Sequence, residues 1–213
     1  MLKMVDFDID GTLAETFPVI FEAFRKTVHD YSGQTISNQT ILATFGVNEA
    51  GMLRELVPDA PATLMTTFYQ NYRAAHHLID GPFAGIREQL AMLHHANVKT
   101  PVVTGKGAES CQITLFALGL TDDFAPVLTG DPEHPNKAAQ LRQLMTDNDL
   151  KPAELAYVGD TVGDLENCRE VGIHCFSAAW AGSVDLPALI AAGADQYKTV
   201  ATLTRHLAAI LNK

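Results

Sequence analysis

The 213-residue chain has little of several features that define common protein classes. Its only cysteines are Cys111, Cys168 and Cys175, whose odd number and spacing fit neither a disulfide framework nor a metal-binding motif. Basic residues are also scarce: 15 Lys and Arg stand against 25 Asp and Glu, which gives a formal net charge of −10. This balance argues against binding of nucleic acid through a general basic surface and against adhesion to anionic membranes.

Long apolar runs are missing as well. No stretch reaches the roughly 18 consecutive apolar residues of a membrane-spanning helix. Asp6, Asp8 and Asp10 interrupt the apolar residues near the N-terminus, so no signal peptide is expected there. A hydrophobic content of 47% with 19% charged residues indicates a folded domain. We therefore expect a cytoplasmic protein that is a monomer or a weak dimer.

The hydrophobic pattern changes twice along the chain. A first strand at 4–10 is followed by apolar residues at helical spacing from about 16 to 79, which predict three to five helices. After Gly81, strands alternate with helices; strands are predicted at 98–104, 127–129, 156–159 and 173–176, and helices at 86–96, 108–118, 138–145, 165–171 and 202–211. This order predicts an α/β fold with a doubly wound, mainly parallel sheet. Residues 1–14 and 82–213 form the expected Rossmann-like core, and residues 15–81 form an inserted helical cap domain.

Ligands of open parallel sheets bind beyond the carboxyl ends of the strands, and acidic residues lie at two of these ends. Asp8 and Asp10 follow the first strand, where two close carboxylates suit a hard divalent cation such as Mg²⁺. The alternative is a turn at Asp10-Gly11 with one carboxylate as a helix cap. Asp160 and Asp164 follow the strand at 156–159, where helix capping alone explains either acid. Capping does not explain why both pairs end strands of one sheet.

Two further segments suit phosphate binding. Thr104 and Gly105 end a strand before a helix, where a hydroxyl and free N–H groups form an anion-binding corner or an ordinary helix cap. Lys137 lies in the first turn of a predicted helix, where it opposes the helix dipole unless an anion compensates it. A solvated surface lysine is the alternative.

Taken together, these segments resemble the haloacid-dehalogenase-like superfamily of phosphohydrolases. Its four motifs occur in order as Asp8-Ile9-Asp10-Gly11-Thr12, Thr104, Lys137 and Gly159-Asp160 with Asp164. The resemblance covers nearly the whole chain, and the helical insert is similar to the family's small helical cap. Within the superfamily, the sequence is most similar to the phosphoglycolate-phosphatase-like branch, on the basis of the residues Thr104-Gly105-Lys106 and of the chain length.

The resemblance implies a Mg²⁺-dependent phosphatase that hydrolyses a small phosphorylated metabolite, a phosphoglycolate-like monoester. Asp8 would attack phosphorus and form an aspartyl-phosphate, and Asp10 would act as general acid and base. The metal would be held by Asp8, Asp160 and the backbone carbonyl of Asp10. Phosphate oxygens would be held by Thr104, Gly105 and Lys137, with Asp164 fixing Lys137 or a metal-bound water. Leaving-group specificity is expected from the cap, with candidates at Glu15, Thr16, Phe45, Gly46 and Val47.

Three departures from the family pattern accompany the resemblance. Asp6 lies where the family usually has an apolar residue, and the sequence does not identify its partner. Pro101 cannot donate a ladder hydrogen bond, so the second strand is either bulged or begins only at Val102. The family branch more often has a proline after the lysine, whereas here Pro135 precedes Lys137 by two residues.

Other functions remain open at this point. A phosphomutase shares the core chemistry, and a pyrophosphatase is a further alternative within the superfamily. A dehalogenase is disfavoured because Asp10 is retained. A receiver-like signalling domain would lack the helical block after the first strand, and a catalytically silent interaction domain would not need every expected acid.

Overall fold

The structure is a computed structural model that describes residues 1–212. Within this range, six parallel strands form one sheet in the order β3-β2-β1-β4-β5-β6. The strands are β1 (Met4–Phe7), β2 (Val102–Val103), β3 (Val127–Leu128), β4 (Leu155–Gly159), β5 (His174–Ala178) and β6 (Asp195–Tyr197). The structure confirms the predicted α/β fold with a doubly wound parallel sheet.

Helices account for most of the remaining chain. Two short 3₁₀ helices, His76–Leu78 and Pro152–Glu154, accompany the α-helices. The α-helices are α1 (Phe17–Ser32), α2 (Asn38–Leu42), α3 (Glu49–Leu56), α4 (Leu64–Ala75), α5 (Ile86–His95), α6 (Ala108–Leu118), α7 (Lys137–Asp147), α8 (Val162–Val171), α9 (Leu186–Ala191) and α10 (Val200–Leu211). No helix of residues 1–212 combines the length and apolar character needed to cross a membrane.

Successive side chains of β1 point to opposite faces of the sheet, and both faces are covered. Val5 and Phe7 belong to the apolar cluster that α5, α6 and α10 form on one face. Met4 belongs to the cluster of the other face, which α7 and α8 cover. Burial on both faces explains why the central strand is almost continuously apolar.

Helices α1 to α4 and the 3₁₀ helix at 76–78 lie between β1 and α5, and we call residues 15–81 the insert. The insert has an apolar cluster of its own, in which Phe24 and Phe68 pack with ring centroids 4.7 Å apart. Ile113 of α6 completes this cluster. The Tyr72 hydroxyl also shares a 2.8 Å hydrogen bond with Thr114 of α6, so this core helix supports the insert.

The second strand is shorter than its apolar sequence predicts. It begins at Val102 because Pro101 has no N–H to donate, although the Pro101 carbonyl accepts a 3.1 Å hydrogen bond from Phe7 N–H. Residue Lys99 keeps only an isolated bridge to Met4. Helix α9 and strand β6 were not predicted, because a six-residue helix and a three-residue strand with two polar residues carry little hydrophobic periodicity.

Asp6 is an unusual residue for a central strand. Its side chain is fully buried, and neither carboxylate oxygen has a hydrogen-bond partner among residues 1–212. By alternation it points to the same face as Met4, against α7 and α8. Burial raises the pKa of Asp6 well above its usual value. The residue therefore lowers the stability of the fold, since a buried polar group without a partner is not compensated.

We predict that Asp6→Val raises the free energy of unfolding by about 1–3 kcal/mol, because it removes an unpartnered buried polar group. Asp6→Asn is the control: it keeps the shape and polarity of the protonated carboxyl and should change stability little. Urea denaturation of the three proteins measures the difference. A lower stability of the valine variant would mean that Asp6 has a partner in solution, such as a buried water.

Candidate active site

The site lies where β1 and β4 are neighbours and the strand order reverses, which is the expected ligand crevice of a doubly wound sheet. Asp8 directly follows β1 and continues the ladder, since its N–H donates to the Val158 carbonyl over 2.9 Å. Asp160 directly follows β4. The two carboxylates therefore meet at one edge of the sheet, as the strand-end argument predicted.

Asp8, Asp160 and Asp164 form a buried acid cluster whose ligand atoms all lie within 4.8 Å of one another. Burial, and then the charges of Asp164 and Asp8, raise the pKa of Asp160 well above its usual value. Burial also raises the pKa of Asp8, against the opposing charge of Lys137. Buried carboxylate oxygens at this separation are the donor set that a hard divalent cation takes, so the residues present fit Mg²⁺.

Gly11 allows the acid cluster to form beside the loop after β1. Its φ of +70° is a left-handed conformation, and a Cβ at this position would overlap the carboxylate of Asp160. Thr12, the next residue, directs its hydroxyl towards Asp160 at 3.5 Å. The Asp-Gly-Thr segment is therefore shaped around an acid that lies 148 residues beyond Thr12 in the chain.

Lys137 is the first residue of α7 and reaches the acid cluster. Its Nζ lies 2.9 Å from Asp8 Oδ2 and 2.5 Å from Asp164 Oδ1. Burial alone would lower the pKa of Lys137, but the charges of Asp164 and Asp8 outweigh it and hold the pKa above its usual value. These contacts compensate a lysine that opposes the dipole of its own helix, and Pro135 does not prevent them.

Asp164 has a second role at the start of α8. Thr161 is the N-cap of this helix: its hydroxyl accepts from the Asp164 N–H over 3.0 Å, while Asp164 Oδ2 accepts from the Thr161 N–H over 3.1 Å. This reciprocal arrangement is a capping box. The cap is thus Thr161 and not Asp160, whose carboxylate faces the acid cluster.

Thr104 and Gly105 lie beside the acid cluster, and both line the same cavity. The Thr104 side chain is buried, and its hydroxyl accepts a 3.3 Å hydrogen bond from the Lys106 N–H. The backbone of Gly105 is exposed at the end of β2, with no atom close to where a side chain would be. An exposed glycine beside a buried threonine hydroxyl at the mouth of the cavity suits an anion-binding corner.

Lys106 and Glu49 form a second charged group that the sequence did not indicate. Lys106 Nζ lies 3.0 Å from Asp10 Oδ2 and 3.9 Å from Glu49 Oε1, and its side chain is only 3% exposed. Thr16 of the insert donates its hydroxyl to the other oxygen of Asp10. Burial alone would lower the pKa of Lys106, but the negative charges of Asp10 and Glu49 hold it well above its usual value.

Glu49 also joins the insert to the core. Its Oε2 accepts a 2.7 Å hydrogen bond from the Gly107 N–H, at the start of α6. Beside it, the Asn48 side chain caps α3 through the Ala50 N–H and donates to the Gly130 carbonyl over 2.9 Å. An Asn-Glu pair at a helix start is ordinary capping chemistry, so the sequence carries no signal for these long-range contacts.

The core and the insert enclose a cavity of about 420 Å³ between them. Phe45, Gly46 and Val47, which were predicted to influence specificity, line it. The other two candidates do not face it: Thr16 contacts Asp10, and Glu15 accepts a 3.2 Å hydrogen bond from the Ser183 N–H outside the cavity.

An acid cluster that faces a lysine at the switch point of a parallel sheet suits the binding of a phosphate group and a metal ion. Comparison with known proteins agrees with this class. The model of the haloacid dehalogenase-like hydrolase family matches residues 5–178, and the chain belongs to this family.

Two relatives indicate which kind of hydrolase the chain is. A phosphoglycolate phosphatase of Photobacterium profundum is 28% identical over 192 residues, which cover 81% of this chain and 83% of the relative. The pyrophosphatase PpaX of Bacillus thuringiensis is 24% identical over 184 residues, which cover 84% of each chain. The family and these relatives identify the chain as a phosphatase, which acts on a small phosphorylated substrate.

Solved structures share the fold. CbbY from Rhodobacter sphaeroides, in complex with phosphate, has a TM-score of 0.77 at 19% identity and covers 95% of this chain and 96% of its own. A haloacid dehalogenase-like hydrolase of Streptococcus pneumoniae has a TM-score of 0.75 at 20% identity, with 97% and 98% covered. At these identities the likeness concerns the fold alone.

We predict that Lys106→Met lowers the free energy of unfolding by about 3 kcal/mol, because it leaves the buried Glu49 and the partly buried Asp10 as uncompensated carboxylates. In an Asp10→Asn background the same substitution should cost clearly less, since one of the two charges is already absent. Urea denaturation of the four proteins of this double-mutant cycle measures the coupling. Additive effects of the two substitutions would contradict the ion pair.

Proposed function

We propose that the protein is a Mg²⁺-dependent phosphatase that hydrolyses a small phosphate monoester through an aspartyl-phosphate on Asp8. The observation that carries this proposal is the position of Asp8, which lies within one buried cluster with Asp160, Asp164 and Lys137. A carboxylate placed between a metal site and a fixed ammonium group can approach a phosphorus atom whose oxygens are neutralised on both sides.

Mg²⁺ would be held by Asp8, Asp160 and the backbone carbonyl of Asp10, with Asp164 beside them. When bound, the metal supplies positive charge for the phosphate oxygens and allows the acid cluster to ionise fully. Lys137, Thr104 and the Gly105 N–H would hold the remaining phosphate oxygens. The contact between Lys137 and Asp164 keeps the ammonium group directed at the cluster before substrate binds.

The reaction proceeds in two displacements. In the first, a carboxylate oxygen of Asp8 bonds to phosphorus, the bond to the alcohol oxygen breaks, and Asp10 gives its proton to the departing alcohol. In the second, Asp10 takes a proton from water, whose oxygen attacks phosphorus and releases inorganic phosphate and free Asp8. Thr16 and Lys106 hold the Asp10 carboxylate in place for both proton transfers.

The substrate is proposed to be a monoester of about the size of phosphoglycolate. A cavity of about 420 Å³ is in the lower part of the range for small-molecule sites, and the metal and the phosphoryl group would take part of it. The three cysteines are free and buried, which fits action on a metabolite in the reducing cytoplasm.

We predict that Asp8→Asn abolishes turnover and stops formation of the phosphoenzyme, because the nucleophile is lost. Asp10→Asn should lower kcat for an alkyl phosphate by about 10²–10⁴-fold through loss of the general acid. It should spare the transfer of phosphate from p-nitrophenyl phosphate to Asp8, since p-nitrophenolate departs with little protonation, but it should slow the attack of water, so that the aspartyl-phosphate accumulates. Acid-quenched mass spectrometry detects the adduct. Phosphoenzyme in the Asp8→Asn protein, or unchanged alkyl-ester turnover by Asp10→Asn, would contradict the mechanism.

A second prediction concerns the metal. Chelation of divalent cations should remove activity, and Mg²⁺ should restore it. Asp160→Asn should raise the Mg²⁺ concentration for half-maximal activity by at least about tenfold, because it removes a charged ligand. Glu166→Gln removes an exposed acid of α8, the helix that follows Asp160, and serves as the control. Equal Mg²⁺ dependence of the two variants would exclude Asp160 as a ligand.

A further inference from the structure

The two walls of the cavity differ in chemistry. The core wall carries the acid cluster, Lys106, Lys137 and the polar ends of the strands. The insert wall is apolar and aromatic: Phe17 stacks on Phe45 with ring centroids 6.1 Å apart, and Ile20, Val47 and Met52 continue the surface. Because the core wall is used for the phosphoryl group, the insert wall faces the alcohol part of the substrate.

The charged and polar groups of the insert wall already have partners. Glu49 accepts from the Gly107 N–H and lies 3.9 Å from Lys106 Nζ. The Tyr72 hydroxyl shares its hydrogen bond with Thr114. Neither group is therefore free to bind a charged part of the substrate.

The cationic groups of the cavity have partners as well. Lys106 contacts Asp10 and Glu49, and Lys137 contacts Asp8 and Asp164. No arginine or histidine of the described residues lines the cavity, where five carboxyl groups accompany the two lysines. A second anionic group on the substrate would meet an apolar wall and the carboxylate of Glu49, without a cation to compensate it.

We propose that the substrate is a phosphate monoester of an uncharged alcohol that presents an apolar, branched or aromatic surface to the insert wall. This proposal rests on the proposed phosphatase function. It separates the chain from its relatives by substrate, since phosphoglycolate carries a carboxylate and pyrophosphate a second phosphate. Hydrophobic contact with the stacked pair of Phe17 and Phe45 supplies the selectivity.

Pairs of esters that differ in one charge test the proposal. Isobutyl phosphate has two methyl groups where phosphoglycolate has the two carboxylate oxygens, and benzyl phosphate is paired with 4-carboxybenzyl phosphate. We expect kcat/KM for the uncharged member of each pair to be higher by at least about tenfold. Equal values, or preference for the charged member, would overturn the proposal.

A pair of variants tests whether the insert wall determines the selectivity. Phe45 lines the cavity and is 42% exposed, so Phe45→Arg adds a cation there with little loss of packing. It should reduce the preference for the uncharged esters by about tenfold, because the carboxylate gains a partner. Leu42 is 43% exposed on α2 and lies outside the cavity lining, so Leu42→Arg should leave the preference unchanged. An equal effect of both variants would overturn the assignment to this wall.

Turnover of p-nitrophenyl phosphate with Mg²⁺ separates the two proposals. If the protein hydrolyses this ester and forms the phosphoenzyme but prefers phosphoglycolate, the substrate class is wrong and the phosphatase mechanism stands. If no ester of either charge is hydrolysed and no phosphoenzyme forms, the proposed function itself fails, and the substrate class fails with it.

Discussion

Repulsion between carboxylates at the ends of β1 and β4 is the constraint on which the site depends. The ligand atoms of Asp8, Asp160 and Asp164 lie within 4.8 Å of one another in a buried position, where ionised acids need compensation. Lys137 supplies one positive charge, and its contacts explain why a lysine is found in the first turn of α7. The remaining negative charge would be compensated by the proposed cation, so the proposed phosphate-binding and metal-binding sites would have the same physical origin.

The same constraint joins the insert to the chemistry. Asp10 projects towards the insert and not into the acid cluster, and it is compensated by Lys106. Lys106 in turn lies near Glu49, which the insert supplies and the Gly107 N–H binds. Movement of α3 away from the core would separate Glu49 from Lys106 and Gly107 while the pair of Lys106 with Asp10 remained. The position of the insert is therefore coupled to the electrostatic environment of Asp10. Such a coupling suits a closed site, which must open to admit the substrate.

The sequence predicted the parts of the molecule that depend on local pattern. The alternation of strands with helices predicted the parallel sheet. The strand ends predicted which acids meet, because parallel strands share one carboxyl edge. The contact of Lys106 with Glu49 could not be predicted, since it depends on how the insert is placed against α6. Burial of Asp6 followed from its strand, but the absence of a partner within residues 1–212 is a property of packing. Short elements at the edge of the sheet, such as β6, have too few residues to show a hydrophobic periodicity, so they could not be predicted.

Family membership informs the two walls of the cavity unequally. Under the proposed function the core wall holds a phosphoryl group and a metal, and that requirement leaves little freedom in charge: carboxylates at two strand ends and a lysine opposite. The insert wall must only match an alcohol, so its residues can change without disturbing the acid cluster or the pairing of Lys137. In this chain that wall carries Phe17 and Phe45 and no unpaired cation within the described residues. Identities of 24–28% with a phosphoglycolate phosphatase and a pyrophosphatase accordingly support the reaction more strongly than the substrate.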